Sequence, residues 1–238
     1  MRDYCVWEGV IPSFETADVQ TSTKKPNIIT KAGDGTHNRN TSRQSACYAW
    51  VLIAMSSYFT HRYIDDTMLE GIEVIDLVKI PDERGSFTEI MREDWNDFLK
   101  GERTMQSNLS ISNPGMIRAW HRHVRGQFDI FVVIKGALKI CAYNDVEERN
   151  SGELAEIVAS GERPQAVKIN GKFWHGTKCV SSVPSETVYY VTRLYERSNP
   201  DELRRPWNDN TIVPKSINGN KHDPRVGNTW DWNYPPHK

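Results

Sequence analysis

The sequence predicts an all-β protein, a double-stranded jelly roll, and three observations carry that expectation. From Gly71 onward, short β-branched and aromatic runs are punctuated by turn residues, with no alternation of strands and long helical patterns. His121 and His123 stand two apart and so share one face of a strand, and Asp129 follows just before an apolar run that ends at Gly136. In this part of the chain helical spacing is confined to the neighbourhood of Trp95 and Phe98, three apart.

Element by element, strands are expected over Glu73 to Lys79, Ser86 to Met91, Gln106 to Ser112, Ile117 to His123, Asp129 to Ile134, Ala137 to Tyr143, Gln165 to Ile169, Thr177 to Val180 and Thr187 to Tyr195. A short helix is expected over Arg92 to Lys100. Lys135-Gly136 and Asn170-Gly171 read as hairpin turns, because glycine supplies the backbone freedom that a tight connection needs. The stretch 206–238 carries Trp207, Trp230, Trp232 and Tyr234 among Pro, Asn and Asp. Such an aromatic coil is expected to wrap the sandwich, covering a sheet edge or part of a cavity mouth.

Residues 1–67 differ in character. Lys24 to Arg43 is polar and has neither the strand nor the helix period, and only Ala46 to Tyr58 could form a short helix. This extension is expected to be disordered or to be an upstream mis-start, with Met68 the natural beginning of a domain over 68–238; an arm packed on a neighbouring subunit is the rival reading.

Composition narrows the partners. Thirty Lys and Arg against 31 Asp and Glu leave a net charge of −1, so no global field draws the chain to nucleic acid or an anionic membrane. The longest apolar stretch, Ala46 to Met55, is too short to span a bilayer and too far from the start for an ordinary secretory signal. Cys5, Cys47, Cys141 and Cys179 show no CxxC spacing and read as buried thiols of a reducing cytoplasm.

The chemistry-bearing residues are His121, His123 and Asp129, answered later by Phe173-Trp-His175-Gly176. Three imidazoles and a carboxylate that meet in one small barrel suit a divalent Zn, Mn, Fe or Ni ion. This spacing resembles that of the cupins.

Over residues 71 to about 209 the chain further resembles the dTDP-4-dehydrorhamnose 3,5-epimerases, a cupin branch that works on nucleotide-linked 4-keto sugars. Asp82-Glu-Arg84-Gly-Ser-Phe87-Thr-Glu89 is similar to a segment that helps bind the nucleotide, and Gln106-Ser-Asn108-Leu-Ser110 to a Q-x-N-x-S strand. Arg118-Ala-Trp-His121 stands where that family has R-G-L-H, Phe173-Trp-His175-Gly176 is similar to its F-A-H-G, and Trp207-Asn-Asp209 to its W-N-D. The resemblance implies His121 as catalytic base and Tyr189 as general acid. It implies substrate contacts from Arg84, Glu89, Gln106, Asn108, Arg118, His175 and Tyr195, no cofactor, and a homodimer. Two departures bear on chemistry: Asp129 replaces a lysine that would face the sugar's keto oxygen, and His123 replaces a glutamine. The carboxylate that partners the base has no clear counterpart, and Asp223 is the candidate.

Three functions follow from this reading. The first is an epimerase or isomerase of a dTDP-4-keto-6-deoxy sugar or related sugar nucleotide. The second is a metal-dependent cupin that uses His121, His123, Asp129 and His175 on a small polar carbonyl or sugar, the ion polarising the carbonyl as a Lewis acid. The third is a sugar-binding cupin without catalysis. Plain structural roles stand beside each residue: His175 could hydrogen-bond in the barrel wall, Tyr189 could be core filler beside Tyr190, and Arg84 and Glu89 could form a surface pair. Trp207, Trp230 and Trp232 are expected to pack rather than to stack on a base, and His37, His61, His222 and His237 to be exposed.

Overall fold

The computed structural model describes residues 69–146 and 149–235. The expectations for 1–67, including the helix over Ala46 to Tyr58 and the thiols Cys5 and Cys47, lie outside the described residues, as does His237.

The described chain forms two facing sheets and a small hairpin. Its elements are β1 Ile72–Asp76, β2 Lys79–Asp82, β3 Gly85–Thr88, α1 Asn96–Leu99, β4 Gln106–Ser112, β5 Ile117–His123, β6 Phe128–Lys135, β7 Ala137–Tyr143, β8 Glu153–Ser160, β9 Gln165–Asn170, β10 Trp174–Cys179, β11 Ser185–Val191, β12 Glu202–Arg204 and β13 Ser216–Ile217. One sheet runs β1-β9-β6-β11-β4, the other β12-β5-β10-β7-β8-β13, and β2 pairs with β3 apart from both. From β4 to β7 the chain changes sheet at each step, and it does so again from β8 to β11, which makes a jelly roll.

That alternation overturns both hairpin turns. Lys135-Gly136 joins β6 to β7 and Asn170-Gly171 joins β9 to β10, and in each case the two strands belong to different sheets. These glycines turn corners of the barrel. The stretch Glu73 to Lys79 is likewise not one strand: it breaks after Asp76, and β2 leaves with β3 as a separate hairpin. The helix is a single turn, closed by Lys100 in the left-handed region at φ 52°.

Two strands carry signals that periodicity obscures. β8 reads Glu-Leu-Ala-Glu-Ile-Val-Ala-Ser, largely good helix formers, yet it pairs with β7 over its whole length, from Tyr143↔Leu154 to Ala137↔Ser160. Burial decides the matter, since Ala155, Ile157 and Ala159 enter the core between the sheets with Val74, Phe131, Val133, Ile140 and Val167. β13 lies in the tail and pairs parallel with β8, so the tail covers the sheet edge as its composition predicts. Trp230 and Trp232 pack with Trp120, Trp174 and Tyr143 on the outer side of the second sheet. Lys168, on β9, is fully buried and donates to the Phe98 and Leu99 carbonyls at 2.7 and 3.2 Å, so it caps the end of α1.

Candidate active site

At one end of the barrel β5, β10 and β6 bring four side chains together. His175 on β10 lies directly opposite His121 on β5, and their ring centroids are 4.2 Å apart. Gly176 makes this approach possible: a Cβ there would come within 2.8 Å of the Ala119 Cα and the Arg118 carbonyl oxygen. His123 follows His121 on the same face, and Gly171 leaves room for it, because a Cβ at 171 would lie 2.9 Å from the His123 Cβ. Asp129 projects from β6 in the facing sheet and is buried.

The three imidazoles converge on one carboxylate oxygen. Nε2 of His175, His123 and His121 lie 2.9, 3.4 and 4.0 Å from Asp129 Oδ2. The other oxygen, Oδ1, accepts from Gln127 Nε2 at 2.7 Å, and that amide nitrogen also lies 3.1 Å from His123 Nε2. Burial alone would push the Asp129 carboxyl up, but the hydrogen bonds and charges of His123 and His175 outweigh it and hold the group well below the usual carboxylate range. For His121, burial and then the neighbouring His175 push the imidazole well below its ordinary value, against the attraction of Asp129. His123 moves the other way: burial opposes its charge, but Asp129 and Asp201 together raise it.

A cleft of about 840 Å³ opens over this cluster. Gln106, Asn108, Arg118, His121, His123, Asp129, Tyr189 and Tyr195 are among the residues that line it. The Arg118 guanidinium is fixed by Ser112 Oγ and the Ile111 carbonyl, each 3.0 Å away. Tyr189 stacks on Phe131 with ring centroids 5.9 Å apart. Burial, then the charge of Asp129, raise its hydroxyl above the ordinary phenol value, so it is a protonated donor at neutral pH. Tyr190, next in the strand, packs instead beside α1.

Four expectations are corrected. His175 is fully buried behind His121 and lies outside the cleft lining, so it supports the site from behind. Asp223 is committed to Arg225, whose Nε and Nη2 both reach it at 2.9 Å; the carboxylate beside His121 is Asp129. Arg84 and Glu89 are not paired with each other and do not line this cleft: Arg84 binds Asp82 at the tip of the β2-β3 hairpin, and Glu89 binds Arg92 at 2.8 Å. Trp207 is half exposed and lines the cleft mouth, whereas Trp230 and Trp232 are packed as expected. His222 is exposed, also as expected.

Sequence reasoning missed Gln127, Asp201, Glu202, Arg204 and Arg205, all of which line the cleft. Gln127 was within reach, standing two residues before Asp129 at the start of β6. Asp201 carries no motif; it arrives because β12 pairs with β5 and sets its Oδ2 3.6 Å from His123 Nδ1.

The jelly-roll fold that carries this site is shared with solved sugar-nucleotide epimerases. A solved dTDP-6-deoxy-D-glucose-3,5-epimerase from Legionella pneumophila, in complex with dTDP-4-keto-L-rhamnose, superposes with a TM-score of 0.58 at 22% identity, over 64% of this chain and 81% of that one. The dTDP-4-dehydrorhamnose 3,5-epimerase of Elizabethkingia anophelis gives 0.56 at 20% identity, over 74% and 87%. Residues 80–203 match the model of the polysaccharide biosynthesis C-terminal domain, and the chain belongs to that family. It is 38% identical over 140 residues to the probable low-salt glycan biosynthesis epimerase Agl13 of Haloferax volcanii, 58% of this chain and 88% of that protein. To the spore coat polysaccharide biosynthesis protein SpsL of Bacillus subtilis it is 32% identical over 146 residues, 61% and 94%.

Proposed function

We propose that the protein is a nucleotide-sugar epimerase or isomerase that acts on a dTDP-4-keto-6-deoxy sugar, or a related sugar nucleotide, by abstracting a proton beside the C4 ketone. One observation carries this reading: His121 and Tyr189 reach the same cleft from the two opposed sheets. Inversion at a carbon needs a base on one face and an acid on the other. His121 Nε2 takes the C–H proton and leaves an enolate, and Tyr189 returns a proton from the other side. Imidazolium and phenolate then exchange with solvent. The glycan-biosynthesis epimerase relative supports the same reaction class.

The remaining cleft residues suit a nucleotide sugar. Arg118, Arg204 and Arg205 supply cationic donors for a diphosphate, although Arg204 already pairs with Glu202, 2.7 Å away, and Arg205 with Asp145, 2.8 Å away. Trp207 offers an aromatic face at the mouth. Asp129 does not stand as a bare charge against the enolate, because Gln127 and His175 occupy its oxygens.

A homodimer belongs to this reading, and exposed Leu109 and Ile111 on the edge strand β4 support it; light scattering should give twice the chain mass. A cytoplasmic setting belongs to it too, and the free thiols of Cys141 and Cys179 suit a reducing compartment. No helix among the described residues is long and apolar enough to cross a membrane.

The direct test is His121→Asn. The variant should lose hydrogen exchange at the sugar with solvent while binding dTDP within about threefold of the parent. Exchange at the parental rate would remove His121 as the base.

A further inference from the structure

We propose that Nε2 of His121, His123 and His175, together with Oδ2 of Asp129, form a site for one divalent transition-metal ion. Resemblance to the epimerases implies no cofactor; the four side chains themselves carry this inference.

The first argument is convergence. The four ligand atoms lie within 4.8 Å of one another, and the separations from Oδ2 are 2.9, 3.4 and 4.0 Å. Ligands about 2.0–2.1 Å from an ion stand roughly 2.9–3.4 Å apart as neighbours and about 4 Å apart across it. The three separations from Oδ2 fall in that range; the full set spans up to 4.8 Å and must draw in slightly around an ion. Three imidazoles and one carboxylate suit Zn, Fe, Mn, Co or Ni better than Ca or Mg, which prefer oxygen.

The second argument lies behind the ligands. A metal-bound imidazole usually donates its other N–H to a carbonyl or carboxylate, which turns the free lone pair toward the ion. His175 Nδ1 lies 2.9 Å from the Phe173 carbonyl, which can only accept, so Nδ1 carries a proton; Nε2, 2.9 Å from Asp129 Oδ2, releases the proton it shares with that oxygen when it takes an ion. His123 Nδ1 and Asp201 Oδ2 face each other at 3.6 Å, and neither has another hydrogen-bond partner. Asp201 is itself anchored, its Oδ1 accepting from the Val124 and Arg125 backbone N–H groups at 3.0 and 2.8 Å.

Gln127 completes the arrangement. Its amide satisfies Asp129 Oδ1, which leaves Oδ2 as the single oxygen directed at the imidazoles, and its nitrogen lies close to His123 Nε2. His121 is the outermost member: its side chain is 23% exposed, against 8% for His123, 4% for Asp129 and 0% for His175. An ion here and a substrate proton therefore compete for the same His121 lone pair. This consequence rests on the epimerase reading; the site itself does not.

The experiment uses the full chain without a histidine tag, stripped with chelator and titrated with Co²⁺ or Zn²⁺. Retained metal is measured by inductively coupled plasma analysis, and Co²⁺ geometry by its visible absorption. Expected are one equivalent of ion, a loss of affinity of roughly 100-fold or more in His175→Ala and Asp129→Asn, and a loss of about 10–100-fold in Asp201→Asn, which touches no ion. Because His175→Ala can misfold, Asp201→Asn keeps the test decisive. Folded parent protein that retains no ion, or variants that bind as well as the parent, would overturn the site. One equivalent of Zn²⁺ should slow substrate exchange at least about tenfold, whereas faster exchange would remove His121 from the ligand set. Exchange without ion retention leaves the epimerase reading and removes the site; retention without exchange in either form does the reverse.

Discussion

His121 can serve as a base near neutral pH because its surroundings disfavour the imidazolium. Burial and the adjacent His175 lower its pKa, so the neutral, proton-accepting form persists below the ordinary imidazole value of 6.5. In chelator-treated protein the acid limb of the pH–rate profile for exchange should accordingly have its midpoint below 6.5. A midpoint at or above 6.5 would show that the cleft does not depress this group. Tyr189→Phe keeps the ring on Phe131 and removes only the proton donor. It should lower epimerisation about 10²–10⁴-fold while His121-dependent exchange continues, and equal loss of both would deny the division of labour. At this scale the sequence revealed much, since a two-residue spacing on a strand fixes a shared face and placed His121 with His123. The same pattern grouped Asp129 with these histidines as a ligand set, but the base's carboxylate partner was sought at Asp223, which the structure commits to Arg225, and nothing local in the sequence excludes that choice.

Strand contacts set the precision of the site. Gly176 lets β10 and β5 approach closely opposite Ala119, and Gly176→Ala would force them apart next to the His175–His121 pair. The variant should fold, with an unchanged far-ultraviolet circular dichroism spectrum, but should exchange substrate hydrogen at least about tenfold more slowly. Unimpaired exchange would mean that the pair tolerates displacement. Lys168 acts on α1: removing a fully buried side chain that satisfies two helix carbonyls, as in Lys168→Ala, should cost about 2–4 kcal/mol in urea unfolding. A change below about 0.5 kcal/mol would show that the cap is idle. Strand positions with alternating or apolar patterns were legible from the sequence; β8 was not, because its helix-forming residues adopt a strand only under the demand of β7 and the core.

The whole molecule depends on its tail as well as its barrel. Trp232 packs against Trp120 with ring centroids 4.8 Å apart and the planes tilted by 44°, and Trp120 sits on β5 immediately before His121. Trp232→Ala should therefore destabilise the fold by about 3–5 kcal/mol, lowering the thermal midpoint and the protein's hold on β5 together. An unchanged midpoint would mean that the tail packs without consequence. The tail's wrapping role was legible from its aromatic content, but the fate of Trp207, which turns to the cleft mouth, was not. Jelly-roll corners explain the misread glycine turns: two apolar runs with a glycine between them look like a hairpin until the sheets to which they belong are known. The most direct test of the central claim is proton NMR of dTDP-4-keto-6-deoxyglucose in D₂O with the full chain stripped of metal. The account predicts progressive loss of the C3 or C5 hydrogen signal as His121 exchanges it with solvent. Unchanged signals with folded protein would contradict proton abstraction beside the ketone of this sugar.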